Sequence, residues 1–203
     1  MRQYPFIIIG LTGSIGMGKS TTAKMFEQSG CPVFDADACV HGLYAKGGKA
    51  VPLIRAVFPG AIKEGAVDRS VLGYHMREDP LNLTVLESFI HPMVGEAREA
   101  FFSKAESDGA DIVVLDVPLL FETGGESYVD KTVVVTAPKA VQRERVLARP
   151  GMTEGLFKSL LARQIPDSIK RKKADFLVFT DQGLDAAQKS VDNIVHDIRT
   201  RSG

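Results

Sequence analysis

"GLTGSIGMGKST" (residues 10–21) follows the apolar run "FIII" (6–9) and leads into a segment with helical spacing. Three glycines within six residues, then a lysine and two hydroxyls, are a conformationally costly way to leave a strand. Residues 13–20 satisfy G-x-x-x-x-G-K-[ST], and the physics of an anion cradle explains each fixed position. Without a Cβ in the way, backbone N–H groups turn inward around a phosphate, and the following helix aims its positive end at the same charge. The cradle is assigned to Gly13, Ser14, Gly16, Met17 and Gly18, with Thr21 just beyond it. Lys19 reaches the β- and γ-phosphates and the Ser20 hydroxyl ligates Mg²⁺. Ser14 and Met17 occupy positions from which the motif requires no particular side chain. The stretch predicts a nucleoside triphosphate held between a buried strand and a helix.

Outward from this loop, the chain alternates. Phe6–Leu11 reads as a strand buried on both faces, and 19–28 as a helix with Ala23, Met25 and Phe26 inside, ended by Gly30. "CPVFDAD" gives a short second strand that delivers Asp35, and "DIVVLDVP" a third that delivers Asp116. "KTVVVTAP" and "DFLVF" supply a fourth and a fifth. Helical patterns between strands predict an α/β fold with a five-stranded parallel sheet and right-handed crossovers. Two stretches exceed that minimum. Residues 38–107 hold helical patterns and no convincing strand, and are read as a helical insertion after the second strand. Residues 141–173, broken near "RPGMT" where Thr153 caps the next helix, are read as a lid. The core then comprises 1–37, 108–140 and 174–203.

Composition sets the remaining bounds. The chain has 203 residues, 44% hydrophobic and 25% charged, enough for one large core with an inserted lobe. No apolar run approaches the roughly 20 residues of a membrane helix, and "MRQYPFIIIG" is too short for a secretion signal. Two cysteines, Cys31 and Cys39, form neither a disulfide framework nor a zinc motif. Reduced thiols in a cytoplasmic protein are the expectation. The formal charge is zero, so no global basic field argues for nucleic acid. Between Gln142 and Lys173, however, nine Lys or Arg face three acids, a local excess of six positive charges. That excess reads either as a solvated helical face or as a basic flap that closes on a polyanion.

Phosphate binding alone leaves switch, motor, transporter and kinase open. Neither D-x-x-G nor N-K-x-D occurs as a GTPase requires, and no LSGGQ-like string is present. A small core, a helical insertion and an arginine-rich lid are the parts a small-molecule kinase needs, because an open site transfers phosphate to water.

Further motifs narrow the reading. "GLTGSIGMGKS", "FDAD" with His41 four positions on, "VDRSVL", "LESFIHPMV", "DVPLLFETG", "QRERVLARPGMT", "LLARQ" and "KKADFLV" occur in the order seen in dephospho-CoA kinases. From Ile8 to about Gly183 the chain resembles that family. The resemblance implies a P-loop kinase core, an acceptor-binding helical domain and a lid. It also implies ATP-dependent phosphorylation of the ribose 3′-hydroxyl of dephospho-coenzyme A, the last step of coenzyme A synthesis, with Mg²⁺ as cofactor. By resemblance Asp35 is the base that receives the hydroxyl proton; it could merely cap the next helix, but catalysis is favoured because its strand is expected beside the phosphate-loop strand, at the carboxyl edge where such folds bind ligands. Asp37 caps the following helix or contacts the acceptor, and His41, one turn later, lines the acceptor site or the surface. Asp116 is a Walker-B-like carboxylate that holds a Mg²⁺ water, or a plain strand end. His91, ahead of Pro92, falls in the acceptor lobe or marks a helix stop. Leu119, Leu120 and Glu122 fall in the family's acceptor-contacting loop, where the leucines fit a core equally well. Arg69 is a candidate anion ligand, since an arginine fork matches phosphate geometry. In the lid, Arg143 and Arg149 resemble the family's phosphate-facing arginines, and Gln164 falls in its "RxxxQ" region. Thr180 departs from the pattern, standing where the family often has Asn, which leaves any adenine contact there open. Two rivals remain on sequence grounds: a nucleoside monophosphate-like kinase, and a non-catalytic nucleotide-binding regulator.

Overall fold

The computed structural model describes residues 4–202; the terminal residues 1–3 and 203 assigned above to the core lie outside them. The chain folds into two compact units, Met1–Phe34 with Ala105–Gly203, and Asp35–Lys104.

The first unit is built on strands β1 (Ile7–Thr12), β2 (Val33–Asp35), β5 (Ile112–Asp116), β6 (Lys131–Thr136) and β7 (Phe176–Phe179). They form one sheet in the order β2-β5-β1-β6-β7. β1 pairs in parallel with β5, placing Leu11 beside Asp116, and with β6, placing Leu11 beside Val133. β5 thus stands between β1 and β2; the second strand in sequence is not the phosphate-loop strand's neighbour. The order puts the carboxyl ends of β1, β2 and β5 on one sheet edge, where such folds bind ligands.

Helices α1 (Lys19–Gln28), α6 (Lys139–Leu147), α7 (Glu154–Leu161), α8 (Asp167–Lys173) and α9 (Leu184–Ser202) complete this unit. Ile9, Leu11, Phe26, Val114 and Val133 form a core without solvent exposure. α9 closes it with Ala187, Val191, Ile194, Val195 and Ile198, the spacing of one helical face. α7 starts as expected, with the Thr153 hydroxyl accepting from Leu156 N–H at 3.2 Å. Cys31 lies in the core, where burial pushes its thiol pKa up to about 11 against the opposing pull of Arg199. Cys39 is half-buried, and both thiols are free.

The second unit contains α2 (Ala36–Tyr44), α3 (Val51–Val57), β3 (Ile62–Lys63), β4 (Ala66–Val67), α4 (Arg69–Glu78) and most of α5 (Pro80–Ser107). Its own core gathers Leu43, Ile54, Phe58, Leu72, Leu86 and Ile90. Two features differ from the sequence expectation. β3 and β4 form a two-stranded hairpin, pairing Ile62 with Val67, inside a stretch read as all-helical. Its turn, Glu64-Gly65, has both φ values positive, the geometry of a tight two-residue hairpin turn. Pro92 does not stop a helix: α5 runs through it for 28 residues. Burial of Leu86 and Ile90 in the unit's core carries the helix past a residue that costs about 3 kcal/mol in a helix interior.

Candidate active site

The loop 13–18 links β1 to α1, and contacts with the rest of the protein set its shape. A Cβ on Gly13 would lie 2.8 Å from the Val135 carbonyl oxygen, so the loop passes directly over β6. Gly16, at φ +80°, leaves no room for a side chain: its Cβ would fall 2.4 Å from Val146 Cγ2 on α6. The Met17 side chain, read from sequence as dispensable, is a core anchor. It is 1% exposed, and its sulfur accepts the Ala137 N–H at 3.1 Å. Met17 N–H bonds to the Ser14 carbonyl at 3.1 Å, closing the loop on itself. α1 begins without a side-chain cap, so its first N–H groups remain directed at the loop.

Lys19, the first residue of α1, forms an ion pair with Asp116 at the end of β5. Asp116 is 2% exposed, and an unpaired carboxylate at that depth would be strongly penalised. Ser20 and Thr21 are exposed on the next two positions. Two cavities flank the loop within this unit. The larger, about 630 Å³, is lined by Ser14, Arg143, Glu154, Phe157, Lys158 and Arg171, among others. Arg143 there forms an ion pair with Glu154, linking α6 to the start of α7. The smaller, about 300 Å³, is lined by Gly16, Gly18, Thr21, Arg145, Arg149 and Leu184, among others. Arg149 therefore lines the cavity beside Gly16 and Gly18, and Arg143 the one beside Ser14 and Met17.

Sequence reasoning missed the side chains that tie this loop down. The Thr180 hydroxyl donates to the Met17 carbonyl at 2.8 Å and accepts from Arg145 Nη1 at 2.8 Å. Arg145 Nη2 also reaches the Thr180 carbonyl at 2.7 Å. Thr180, seen only as a departure from a pattern, is thus the post-β7 anchor of the phosphate loop. These contacts join residues 35 to 163 positions apart and leave no local sequence signal.

The segment after β5 divides. Leu119 is 40% exposed, whereas Leu120, 1% exposed, packs over Gly10 and belongs to the core. Glu122 is turned inward. Its Oε1 accepts from Ile165 N–H at 2.8 Å and pairs with the fully buried Lys170 at 2.8 Å. Lys170 also reaches the Pro118 carbonyl at 3.4 Å. Leu120 thus fills the core, and Glu122 fastens α8 to the loop that follows Asp116.

In the second unit, Asp35 is exposed at the end of β2 and accepts from Ala38 N–H at 2.9 Å, capping α2. Asp37 is exposed in the first turn of that helix. His41 Nε2 is bonded to Arg69 Nη1. His91 is exposed on α5. The structure thus brings His41 and Arg69 together, with Asp37 one turn away on the same helix.

A family model described as dephospho-CoA kinase matches residues 7–186 of this chain. A Mesorhizobium japonicum protein named dephospho-CoA kinase is 54% identical over 197 residues, 97% of this chain and 99% of that one. Among solved structures, a Thermus thermophilus protein superimposes with a TM-score of 0.83 at 34% identity, covering 96% of this chain and 98% of that one. A dephospho-CoA kinase from Campylobacter jejuni, 22% identical over 94% of this chain and 96% of its own, shares the fold with a TM-score of 0.62. With a family model spanning nearly the whole chain and a full-length relative above half identity, the chain belongs to the dephospho-CoA kinase family.

Proposed function

We propose that this protein transfers the γ-phosphoryl group of ATP to the ribose 3′-hydroxyl of dephospho-coenzyme A in the cytoplasm, giving coenzyme A and ADP. The observation that carries the reading is the loop 13–20 with Lys19 held at the buried Asp116, in a chain of this family. The hydroxyl oxygen forms the new bond to the γ-phosphorus as the bond to the β–γ bridging oxygen breaks, in line and without a phosphoenzyme. The hydroxyl proton passes to Asp35, where the bond from Ala38 N–H engages one carboxylate oxygen and the second is the acceptor.

Lys19 exchanges its ion pair with Asp116 for the β- and γ-phosphates. Arg143, released from Glu154, offsets charge on the transferring oxygens and helps exclude water. The cavity beside Gly18 and Arg149 is of a size for the nucleoside of ATP. Asp37, His41, Arg69, His91 and Leu119 are assigned to the acceptor. Ser20 and Asp116 offer a hydroxyl and a carboxylate, a hard-oxygen set that suits Mg²⁺, a cation that completes its shell with phosphate oxygens and water. When bound, Mg²⁺ neutralises phosphate charge and orients the γ-phosphoryl group.

Asp35→Asn tests the assignment of the base. It keeps size and hydrogen-bonding capacity but removes the proton acceptor, and kcat with dephospho-CoA is expected to fall roughly 10²-fold or more. Binding of an ATP analogue should stay unchanged. An Asn variant with parental kcat would remove Asp35 from the mechanism.

A further inference from the structure

Both polar backbone groups of one residue at the apex of the phosphate loop are held by side chains from outside it. Ile15 N–H donates to Gln164 Oε1 at 3.1 Å, and the Ile15 carbonyl accepts from Gln142 Nε2 at 2.8 Å. Gln142 lies on α6 and is only 5% exposed; Gln164 follows α7. The two glutamines bracket residues 143–163, the segment that carries Arg143, Arg149 and Glu154. They use opposite ends of the same functional group, one as donor and one as acceptor.

We propose that Gln142 and Gln164 are positioning residues that set the phosphate loop for ATP and couple its shape to the lid. The argument is geometric and rests on the nucleotide reading of the loop given above. In a trans peptide the C=O and the following N–H point in opposite directions. Drawing the Ile15 carbonyl toward Gln142 therefore turns the Gly16 N–H away from α6, in the orientation from which it donates to an anion held by the loop. Releasing the carbonyl lets that peptide plane rotate and aim oxygen at phosphate. Gly16, lacking a Cβ, offers little resistance to such a rotation. On the other side, Gln164 fixes the preceding plane, whose Ser14 carbonyl is taken by Met17 N–H at 3.1 Å.

Gln164 is itself held by its neighbour. Ile165 N–H is fastened to Glu122, and Glu122 to the buried Lys170. Movement of segment 143–163 thus pulls on the loop at two points, each bonded to Ile15. Nucleotide affinity and lid position are linked through one residue of backbone.

The test measures binding of a fluorescent ATP analogue, so that neither the acceptor nor turnover enters. Gln142→Met and Gln164→Met keep length and volume but cannot hydrogen-bond; each is expected to bind the analogue about tenfold more weakly, the scale of one buried backbone group left unpaired. If the buried Gln142→Met does not fold, Gln164→Met alone decides. Two further variants separate positioning from general damage. A glutamate at either position adds one negative charge near the phosphates, so the two Glu variants are compared with each other: a carboxylate only accepts, Gln164→Glu retains its bond to Ile15 N–H, and it should bind at least about threefold more tightly than Gln142→Glu. Gln142→Glu instead faces a carbonyl and should bind no better than Gln142→Met. Folded Met variants that bind like the parent, or equal responses to Glu at the two positions, would overturn the clamp. Failure of the unsubstituted protein to bind the analogue would instead overturn the nucleotide reading, and the clamp with it.

Discussion

Replacing Glu122 by alanine should destabilise the protein far more than removing a surface charge. The Lys170 side chain is 0% exposed and that of Glu122 13%, with Nζ and Oε1 2.8 Å apart. The variant loses the ion pair and the acceptor for Ile165 N–H. It leaves a buried ammonium whose remaining acceptor, the Pro118 carbonyl, lies at 3.4 Å. Breaking a buried pair from one side costs about 3–5 kcal/mol. At about 2–4 °C per kcal/mol for a chain of this size, Tm should fall by roughly 6–20 °C. The paired variant Glu122→Gln/Lys170→Met separates the cost of an orphaned charge from the worth of the pair. It keeps an acceptor for Ile165 and a stem of similar volume, and removes both charges. Glu122 Oε2 is buried without a hydrogen-bond partner, so the pair itself is imperfectly satisfied. The double variant is accordingly expected within about 2 kcal/mol of the parent. Urea unfolding followed by far-UV circular dichroism, with calorimetry for Tm, reads both. A single variant within about 1 kcal/mol of the parent, or a double variant as unstable as the single, would refute the reasoning.

Two other expectations concern charge. Arg143→Ala should lower kcat more than it raises KM for the acceptor, because its contact strengthens as charge develops in the transition state; steady-state kinetics with a KM change alone would make it a binding residue. A hydrogen bond from Arg199 lowers the Asp111 carboxyl below its usual range, so the pair stabilises the fold above about pH 4, the unfolded pKa, and loses that stabilisation as pH falls through the lower folded value. Both side chains are about half exposed, which limits the effect of Arg199→Ala to under about 1 kcal/mol at about pH 7, narrowing as the pH falls below about 4 in urea titrations. A gap that widens on acidification would contradict the sign.

The phosphate loop was legible because its chemistry is local: glycines, Lys19 and the strand and helix on either side are near neighbours in the chain. Thr153 was legible for the same reason, as a cap acting on its own helix. What holds the loop was not. Met17 to Ala137, Thr180 to Met17 and Gln142 to Ile15 are contacts between distant segments, and no short pattern encodes them. In "PLLFE", an irregular stretch, neither period separates core from surface, so the burial of Leu120 and the ion pair of Glu122 leave no local sign. The β3–β4 hairpin was missed because two-residue strands carry no alternation; its Glu-Gly turn was the one available sign. Pro92 misled because a local propensity was outweighed by burial of Leu86 and Ile90. The strand order, with β5 inserted between β1 and β2, is a tertiary fact that alternating strands and helices leave open.

The most direct test of the account is the product formed from ATP and dephospho-coenzyme A. Coupled ADP detection, with ³¹P NMR of the acceptor product and a parallel panel of nucleoside monophosphates, follows donor and acceptor together. The expected result is ADP formed in equal amount with a new phosphomonoester on the ribose 3′-oxygen of dephospho-coenzyme A, and little turnover on the panel. ATP turnover that is indifferent to dephospho-coenzyme A, or faster with a nucleoside monophosphate, would contradict it.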